Sequence, residues 1–450
     1  MRLTLPEPSD LENVGFTTEN DIFGYSKFGE RLANLVSNIN EPLVITLDAP
    51  WGSGKTVFIK QWAGLLKGRG GKVVYFDAFA DDFHENAFLT LASQIHSLAK
   101  ATLSKDEPSI KTFLSATKEV GKVIAPVALG IGLHTVTAGL VNREDVESVS
   151  KALRDETEKA ILEKLQNVDE ERASLKMFRE ALENLSKAIA NEKKESDHQS
   201  PPLVFIVDEL DRCRPPFALE VIERIKHLFS VKNVCFVLVM DFPQFETAIR
   251  GAYGTEFDAH TYLEKFYQLK IVLPEPDFED QGRRDKYLSY LWNNLKPQFR
   301  GMQPLEIVFD EIKHLANAHA LSLRQMEHVM RNIVLIAAYS NEKQLLNSPV
   351  TAGLCVMRQT HPKLYDMARE NSLLWKDVEE FLKIDSEYRN DVLDGWRYLA
   401  DPNASKEVVA QHSRYWQRYF FRQDLSKDRY LLQRVFTNEI DSLLGSQSHE

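Results

Sequence analysis

The sequence predicts an α/β protein with a parallel five-stranded sheet, a large helical insertion and an all-helical C-terminal region. Three observations lead to this fold class. Short apolar runs rich in Val and Ile alternate with helix-like stretches in the first part of the chain. More than a hundred residues separate the second run from the third. After Pro274 the pattern changes to successive amphipathic helices.

The five apolar runs are too short for globular helices, and they are apolar throughout, as strands buried on both faces are. They comprise residues 43–48, 73–76, 203–207, 234–239 and 269–273. A helix is predicted ahead of the first strand, over residues 26–38, because Phe28, Leu32, Leu35 and Val36 share one helical face. Five such strands alternating with helices indicate a doubly wound core.

The spacing of these elements suggests a domain organisation. We expect an N-terminal polar arm (1–20), a core (21–100 and 201–280), a helical insertion (101–200), a helical subdomain (281–345) and a C-terminal helical region (346–450). Within the insertion, residues 143–195 combine dense mixed charge with apolar residues at helical spacing, which is typical of a helical hairpin. The last region contains three tryptophans, Trp375, Trp396 and Trp416. They could belong to a surface that binds a partner or to the core of a packed domain, and we expect the packed domain.

Composition excludes several classes of protein. The chain of 450 residues is 43% hydrophobic and 27% charged, which fits a soluble globular protein of about two to four domains. Its net charge of −11 argues against general nucleic-acid binding. The three cysteines have no zinc-ligand spacing. Because the N-terminus lacks the apolar run of a signal peptide, we expect a cytoplasmic protein, with membrane association as the alternative.

The most informative segment is APWGSGKT, residues 49–56, which lies between the first apolar run and a helix-like stretch. This strand–loop–helix order is the context of the Walker A phosphate-binding loop. Glycines let the backbone N–H groups turn toward a triphosphate, the lysine can bridge its β and γ phosphates, and the threonine hydroxyl can bind Mg²⁺. The predicted nucleotide-binding residues are therefore Pro50, Trp51, Gly52, Ser53, Gly54, Lys55, Thr56 and Val57.

One position departs from the Walker A pattern. Ala49 stands where the first glycine usually lies, and its Cβ would cost energy if the backbone there needed a positive φ. The alternative interpretation of the segment is a Gly-rich turn that merely closes a strand–helix unit. A second motif downstream weighs against that alternative.

The third apolar run ends in DELDRC, residues 208–213, which has the Walker B arrangement. We predict that Asp208 holds Mg²⁺ through its water shell, together with Thr56. Glu209 and Asp211 are both candidates for orienting the attacking water, Glu209 because side chains alternate along an extended segment. The alternative for this segment is a solvated acidic turn after a buried strand.

Further polar residues lie where a nucleotide would bind. Asp241 follows the fourth apolar run, at the carboxyl end where open α/β sheets bind ligands. It is a candidate catalytic residue because it resembles the polar sensor position of ATPases that have an extra strand between the two Walker strands, although a helix N-cap would use the same residue type. Arg212, Arg214 and Arg250 are candidates for stabilising charge on a γ phosphate. No NKxD-type guanine motif is present, so ATP with Mg²⁺ is the predicted ligand.

Taken together, these motifs resemble the KAP family of P-loop NTPases. The resemblance rests on residues 50–56, 208–213, 237–241 and 262–276, with weaker similarity in 23–36 and 322–333, and it covers roughly residues 20–340. It implies a P-loop NTPase core that binds and hydrolyses ATP. It also implies that Arg324 acts as a sensor arginine. One position departs from the family pattern, because the family more often has a second Asp where Glu209 stands. Related STAND-type ATPases use the acid three residues after the Walker B Asp, here Asp211, so the choice between the two acids stays open.

Members of this family often carry membrane-spanning helices between the Walker motifs, which brings residues 123–141 into question. These nineteen uncharged residues are long enough to span a bilayer, but they are rich in Ala, Gly and Thr and only weakly apolar. A single crossing would also put Lys55 and Asp208 on opposite sides of the membrane. We therefore expect a buried or subunit-interface helix, with a re-entrant or membrane-surface element as the alternative.

The resulting hypothesis is a KAP-type ATPase that works as a conformational switch and controls a protein partner or an assembly, including a homo-oligomer. The family resemblance suggests a role in bacterial phage defence. The alternatives are a nucleotide-binding scaffold with little turnover and a P-loop kinase of a small molecule. The mixed-charge insertion does not resemble the arginine-rich lid of such a kinase, and a nucleic-acid motor has the least support.

Overall fold

The structure is a computed structural model that describes most of the chain. The described residues are 10–39, 41–84, 86–124, 170–190, 202–274, 282–295, 306–339, 349–370 and 372–384, together with 392, 393, 396, 397 and 400. They form two compact units, one ending at Leu273 and the other beginning at Pro274. The first unit contains the sheet, and the described part of the second unit contains helices and no strand.

The sheet has five strands that all run parallel, which confirms the predicted fold class. The strands are β1 (Leu43–Asp48), β2 (Val73–Asp77), β3 (Leu203–Asp208), β4 (Val234–Met240) and β5 (Leu269–Val272). Their spatial order is β2-β3-β4-β1-β5. Since β4 pairs with both β1 and β3, it separates the strand that precedes the Walker A loop from the strand that ends in the Walker B motif.

The position of each strand in the sheet explains its burial. The three inner strands β1, β3 and β4 are buried along almost their whole length. The edge strand β5 is partly exposed, and in β2 the buried residues Val74 and Phe76 alternate with the half-buried Tyr75 and Asp77. An inner strand is covered by helices on both faces of a parallel sheet, whereas an edge strand has a neighbour on one side only.

Nine helices of the described residues surround the sheet. They are α1 (Leu11–Val14), α2 (Ser26–Ser37), α3 (Lys55–Gly68), α4 (Ala87–Thr102), α5 (Pro108–Ile124), α6 (170–190), α7 (Pro215–Arg224), α8 (Phe242–Tyr253) and α9 (Ala259–Leu263). The predicted helix 26–38 is confirmed by α2. A π-helical turn, Ile225–Phe229, follows α7, and a short 3₁₀ turn, Leu210–Arg212, follows β3.

The described parts of the predicted insertion share the hydrophobic core of the sheet. Phe178 of α6 packs against Phe113 of α5, against Phe88 of α4 and against Phe229, with ring centroids 5.1–5.5 Å apart. All four aromatic side chains are fully buried, which stabilises this cluster. Residues 125–169 and 191–201 lie outside the described residues, and with them most of the predicted hairpin and of segment 123–141. Among the helices that the structure describes, none has the length and apolar character that crossing a membrane requires.

Residues 10–20, which we predicted as part of a polar arm, pack against α3. Leu11 is buried, and the Gln61 side-chain amide donates a hydrogen bond to the Asn20 carbonyl over 2.9 Å. Two glycines make this contact close, because a Cβ built on Gly64 would lie 2.3 Å from the backbone nitrogen of Gly15. The helix that carries Lys55 is therefore held by the N-terminal segment as well as by the sheet.

The second unit is built from six described helices. They are α10 (Gly282–Leu295), α11 (Glu306–Ala318), α12 (Leu323–Tyr339), α13 (Pro349–Thr360), α14 (Pro362–Arg369) and α15 (Trp375–Leu382). Residues Pro349–Met357 of α13 are all buried, so this helix forms the centre of the unit. Trp396 is fully buried close to Gly353, Trp375 is half-buried, and Trp416 lies outside the described residues.

Candidate functional site

The Walker A segment forms a tight loop between β1 and α3. Gly52 and Gly54 adopt positive φ angles of 76° and 87°, a conformation that glycine reaches at little cost. Gly54 is the residue before α3, so the backbone N–H groups of Lys55, Thr56 and Val57 lie in the first helical turn, where no intrahelical acceptor is available. The positive end of the helix dipole adds to these donors. The loop therefore has the form of an anion site at a helix N-terminus.

Ala49 fits its position without strain. Among the described residues, the non-glycine positions with positive φ are Asp10, Glu209, Asn233, Ala320 and Lys383, and Ala49 is not one of them. Its N–H donates to the Met240 carbonyl over 3.1 Å and its own carbonyl accepts from Lys55 Nζ over 3.2 Å. The missing first glycine therefore does not distort the loop.

Asp208 is buried at the end of β3 and has a fixed donor at each oxygen. Its Oδ1 accepts the backbone N–H of Glu209 over 2.8 Å, and its Oδ2 accepts the hydroxyl of Tyr75 over 3.0 Å. Burial raises the pKa of Asp208, against the opposing effect of hydrogen bonds from Tyr75, the Glu209 amide and Thr56 and of the Lys55 charge. The carboxylate thus lies close to both Walker A residues that would share a Mg-nucleotide with it, and burial outweighs the groups that favour its charged form.

Lys55 forms a buried ion pair with Asp211. Its Nζ lies 3.4 Å from Asp211 Oδ2, and the exposed fractions of the two side chains are 4% and 0%. The indole N–H of Trp51 donates to the same oxygen. Asp211 Oδ1 is buried and has no hydrogen-bond partner among the described residues. Asp211 therefore lies against the Walker A loop and contacts its lysine, and it is not a solvated acid of a surface turn.

Glu209 takes a backbone conformation that our sequence argument did not anticipate. Its φ is 59°, so it lies in the left-handed region just beyond β3, and strand alternation does not determine the direction of its side chain. Its carboxylate forms an ion pair with Arg212, with Oε1 2.7 Å from Nη1. Burial raises the pKa of Glu209, and the nearby Asp208 adds to this effect while Arg212 opposes it. A non-glycine residue in this region is a local strain that is often found at functional sites.

Asp241 caps a helix and also contacts the Walker A loop. It is the residue before α8, and its Oδ1 accepts the backbone N–H of Gln244 over 3.2 Å, which is an N-cap bond. Its Oδ2 accepts the backbone N–H of Trp51 over 3.0 Å. The end of β4 is therefore tied directly to the Walker A loop, and the carboxylate holds the loop backbone.

Among the contacts of the described residues, Arg212 is the one predicted arginine that pairs with a candidate catalytic carboxylate, that of Glu209. Arg214 forms an ion pair with Asp82, and Arg250 forms one with Glu246 of its own helix. Arg324 lies in the first turn of α12, in the second unit. Its predicted role as a sensor arginine remains a proposal, as do the roles of the other site residues.

Two residues near Asp208 escaped the sequence analysis. Tyr75 and Asp77 both belong to β2, and Asp77 lies opposite Asp208 in the register of the two strands. The hydroxyl of Tyr75 reaches Asp208, and burial, with the charge of Asp208 next, raises the pKa of Tyr75 far above its usual range. The polar residues in an otherwise apolar strand were the available signal, but the sequence does not reveal that β2 pairs with β3.

The residues around the Walker A loop and Asp208 are chemically suited to hold a nucleotide together with Mg²⁺. The Ser53 hydroxyl is buried without a hydrogen-bond partner among the described residues, and the N–H groups in the first turn of α3 have no intrahelical acceptor. In the part of the chain that the structure describes, no group of three or more His, Cys, Asp or Glu could hold a metal ion by itself. Mg²⁺ in phosphate sites is typically held by one or two protein oxygens, by waters and by the phosphates. Thr56 and Asp208 would supply those protein oxygens.

Comparison with known proteins agrees with this geometry. A family model described as the KAP family P-loop domain matches residues 25–340, which is more than two thirds of the chain. A search of curated proteins found no match. The matched range includes the whole sheet and every described contact around Asp208 and Lys55.

Proposed function

The chain belongs to the KAP family of P-loop domains, and on that basis we propose that it binds Mg-ATP and hydrolyses it. The observation that carries the proposal is the proximity of three residues from distant parts of the sequence. Lys55 Nζ lies 3.4 Å from Asp211 Oδ2 and close enough to Asp208 for its charge to oppose the raised pKa of that carboxyl, although about 150 residues separate the two motifs. Such convergence at the carboxyl ends of parallel strands is where α/β proteins bind nucleotides.

In this proposal each residue has a defined task. Lys55 leaves Asp211 and neutralises the β and γ phosphates, and the N–H groups of Lys55, Thr56 and Val57 donate to the phosphate oxygens. Thr56 and Asp208 would hold Mg²⁺, and the bound ion would neutralise charge that develops on the phosphates. Asp241 keeps the loop in place by accepting the Trp51 N–H.

The water-activating acid is either Glu209 or Asp211. A general base must have a free oxygen within reach of the attacking water. Asp211 has a buried oxygen without a hydrogen-bond partner among the described residues, whereas Glu209 Oε1 is paired with Arg212. Once Lys55 has moved to the phosphates, Asp211 also loses its cation. We therefore propose Asp211 as the base and Glu209 as an acid that Arg212 holds in place.

Phosphate release and nucleotide affinity test this proposal. We expect wild type to release phosphate from Mg-ATP, and Asp208→Ala combined with Glu209→Ala to abolish release. Lys55→Ala should weaken binding of a fluorescent ATP analogue by about a hundred-fold, which corresponds to about 3 kcal/mol. Lys67→Ala is the matched control, because Lys67 lies on the same helix and its side chain contacts only that of Asn13 in the described bonds. Equal affinity in wild type and Lys55→Ala would refute nucleotide binding at this loop.

A specific observation favours a second function, that of a nucleotide-binding scaffold with little turnover. Both candidate bases are paired with a cation, Asp211 with Lys55 and Glu209 with Arg212. If those pairs persist when ATP binds, the site holds nucleotide without activating water. Micromolar binding of ATP together with no phosphate release from wild type would select the scaffold over the ATPase.

We further propose that nucleotide binding acts as a switch for a protein partner or for assembly, in a cytoplasmic protein that serves phage defence. This part rests on the family resemblance. A change of native mass upon addition of Mg-ATP would support assembly, and its absence would favour a separate partner. Plaque counts on cells that produce wild type or Lys55→Ala test the defence role, because equal counts would contradict it.

A further inference from the structure

Asp208 has a partner outside the recognised motifs. Tyr75 lies at the centre of β2, and its hydroxyl donates to Asp208 Oδ2 over 3.0 Å. In the register of the two strands Tyr75 is opposite Ile206, so its long side chain reaches toward the carboxyl end of β3. Its neighbours Val74 and Phe76 belong to the hydrophobic core, and Tyr75 therefore points to the other face of the sheet.

That other face carries α3, the helix of the Walker A loop. Lys60 of α3 lies over the ring of Tyr75, with Nζ 4.9 Å from the ring centroid. Five residues before Lys60, the same helix begins with Lys55. The ring of Tyr75 is thus held between the sheet and α3, and its hydroxyl meets Asp208, which is completely buried.

The two donors to Asp208 act on different oxygens. The Glu209 amide occupies one site on Oδ1 and the Tyr75 hydroxyl occupies one on Oδ2. A carboxylate has about four acceptor sites, so two remain for Thr56 and for water around a metal ion. Two fixed donors prevent rotation of the carboxylate, and a neutral hydroxyl does so without cancelling the charge that a cation needs.

We propose that Tyr75 is a positioning residue that orients Asp208 for Mg²⁺. The inference rests on the proposed function, because it assumes that Asp208 serves a metal–nucleotide complex. Partners that orient a metal-binding carboxylate typically contribute about 10-fold to 100-fold in metal affinity or activity. Tyr75 does not contact the phosphates in this proposal, so nucleotide binding without metal does not depend on its hydroxyl.

The test is a titration of MgCl₂ at a fixed concentration of a fluorescent ATP analogue. Tyr75→Phe keeps the ring and its contact with Lys60 but removes the donor. We expect the Mg²⁺ concentration at half-maximal binding to rise about ten-fold, while affinity in EDTA stays within about two-fold of wild type. In an Asp208→Asn background the same change should have no further effect, because Tyr75 acts through Asp208.

Tyr262→Phe is the matched control. The hydroxyl of Tyr262 also donates to a carboxylate, Glu223 Oε1, over 3.1 Å, but Tyr262 lies outside the Walker motifs. We expect its Mg²⁺ titration to match wild type. A wild-type titration curve for Tyr75→Phe would overturn the inference, and so would an equal loss of affinity in EDTA. Failure of Tyr75→Phe to fold would also overturn it, because the hydroxyl would then be structural. Absence of Mg²⁺-dependent binding in wild type would instead refute the proposed function.

Discussion

Replacing Lys55 by Met removes the cation of a buried ion pair and leaves Asp211 without its counter-charge. At the observed 3.4 Å, two unit charges attract by about 5 kcal/mol if the effective dielectric constant is about 20. Removing one partner of a buried pair typically costs about 3–5 kcal/mol, because the remaining charge stays desolvated. The side chain of Asp211 is completely buried, so we expect Lys55→Met to lower the free energy of unfolding by about 3 kcal/mol or more.

The assay is urea denaturation without nucleotide, followed by circular dichroism. Lys55→Met combined with Asp211→Asn should recover stability to within about 1 kcal/mol of wild type, since the unpaired charge is gone. Neither variant should bind ATP. The double variant would thus regain stability without regaining nucleotide binding, whereas Lys55→Met alone would lose both.

A surface pair is the control for this reasoning. Lys187 Nζ lies only 2.7 Å from Glu183 Oε1, but the two side chains are 49% and 30% exposed. Water screens such a pair, so Lys187→Met should cost about 0.5 kcal/mol or less despite the shorter distance. If Lys55→Met unfolds at the wild-type urea concentration, or if the double variant is no more stable than the single one, the buried pair does not stabilise the fold.

Two further predictions concern stability. Gly64→Ala should lower the free energy of unfolding by about 2 kcal/mol, because the new Cβ would meet the backbone of Gly15 at 2.3 Å. Gly68→Ala is the control on the same helix. Its Cβ meets no atom within 4 Å, so this variant should be neutral or stabilising by up to about 1 kcal/mol. Thermal melts of both variants check this, and equal melting temperatures would contradict it. In the second unit, burial lowers the pKa of His319 to about 4, so the unfolded chain binds its proton more readily and stability should rise between pH 4 and pH 6.5. His319→Gln should flatten that rise in melts at several pH values, and an unchanged slope would assign it to other groups.

Much of the fold was predictable because its signals are local. Each strand was recognised from a run of consecutive apolar residues, and the helix at residues 26–38 was recognised from its periodicity. The Walker A loop was recognised in the same way, since its glycines, lysine and threonine are neighbours along the chain. The packing of residues 10–20 against α3 was not predictable, because it depends on a pair of glycines about fifty residues apart.

The residues of the candidate site were also predictable only where their signals are local. Spacing identified Lys55 and Asp208 as separate motifs, but the ion pair of Lys55 with Asp211 depends on the arrangement of the strands. The strand-alternation argument for Glu209 did not hold, because the strand ends at Asp208 and Glu209 takes a left-handed conformation.

The amino-acid order alone predicted the five strands and identified the segments that match the Walker motifs, because backbone propensity, apolar runs and motif spacing act over a few neighbouring residues. The tertiary structure decided which of those residues meet. The insertion of β4 between β1 and β3, the hydrogen bond from Tyr75 to Asp208 and the contact of Trp51 with Asp211 all follow from pairing between distant segments. Such pairing is set by the packing of the whole core, and no short stretch of sequence contains it.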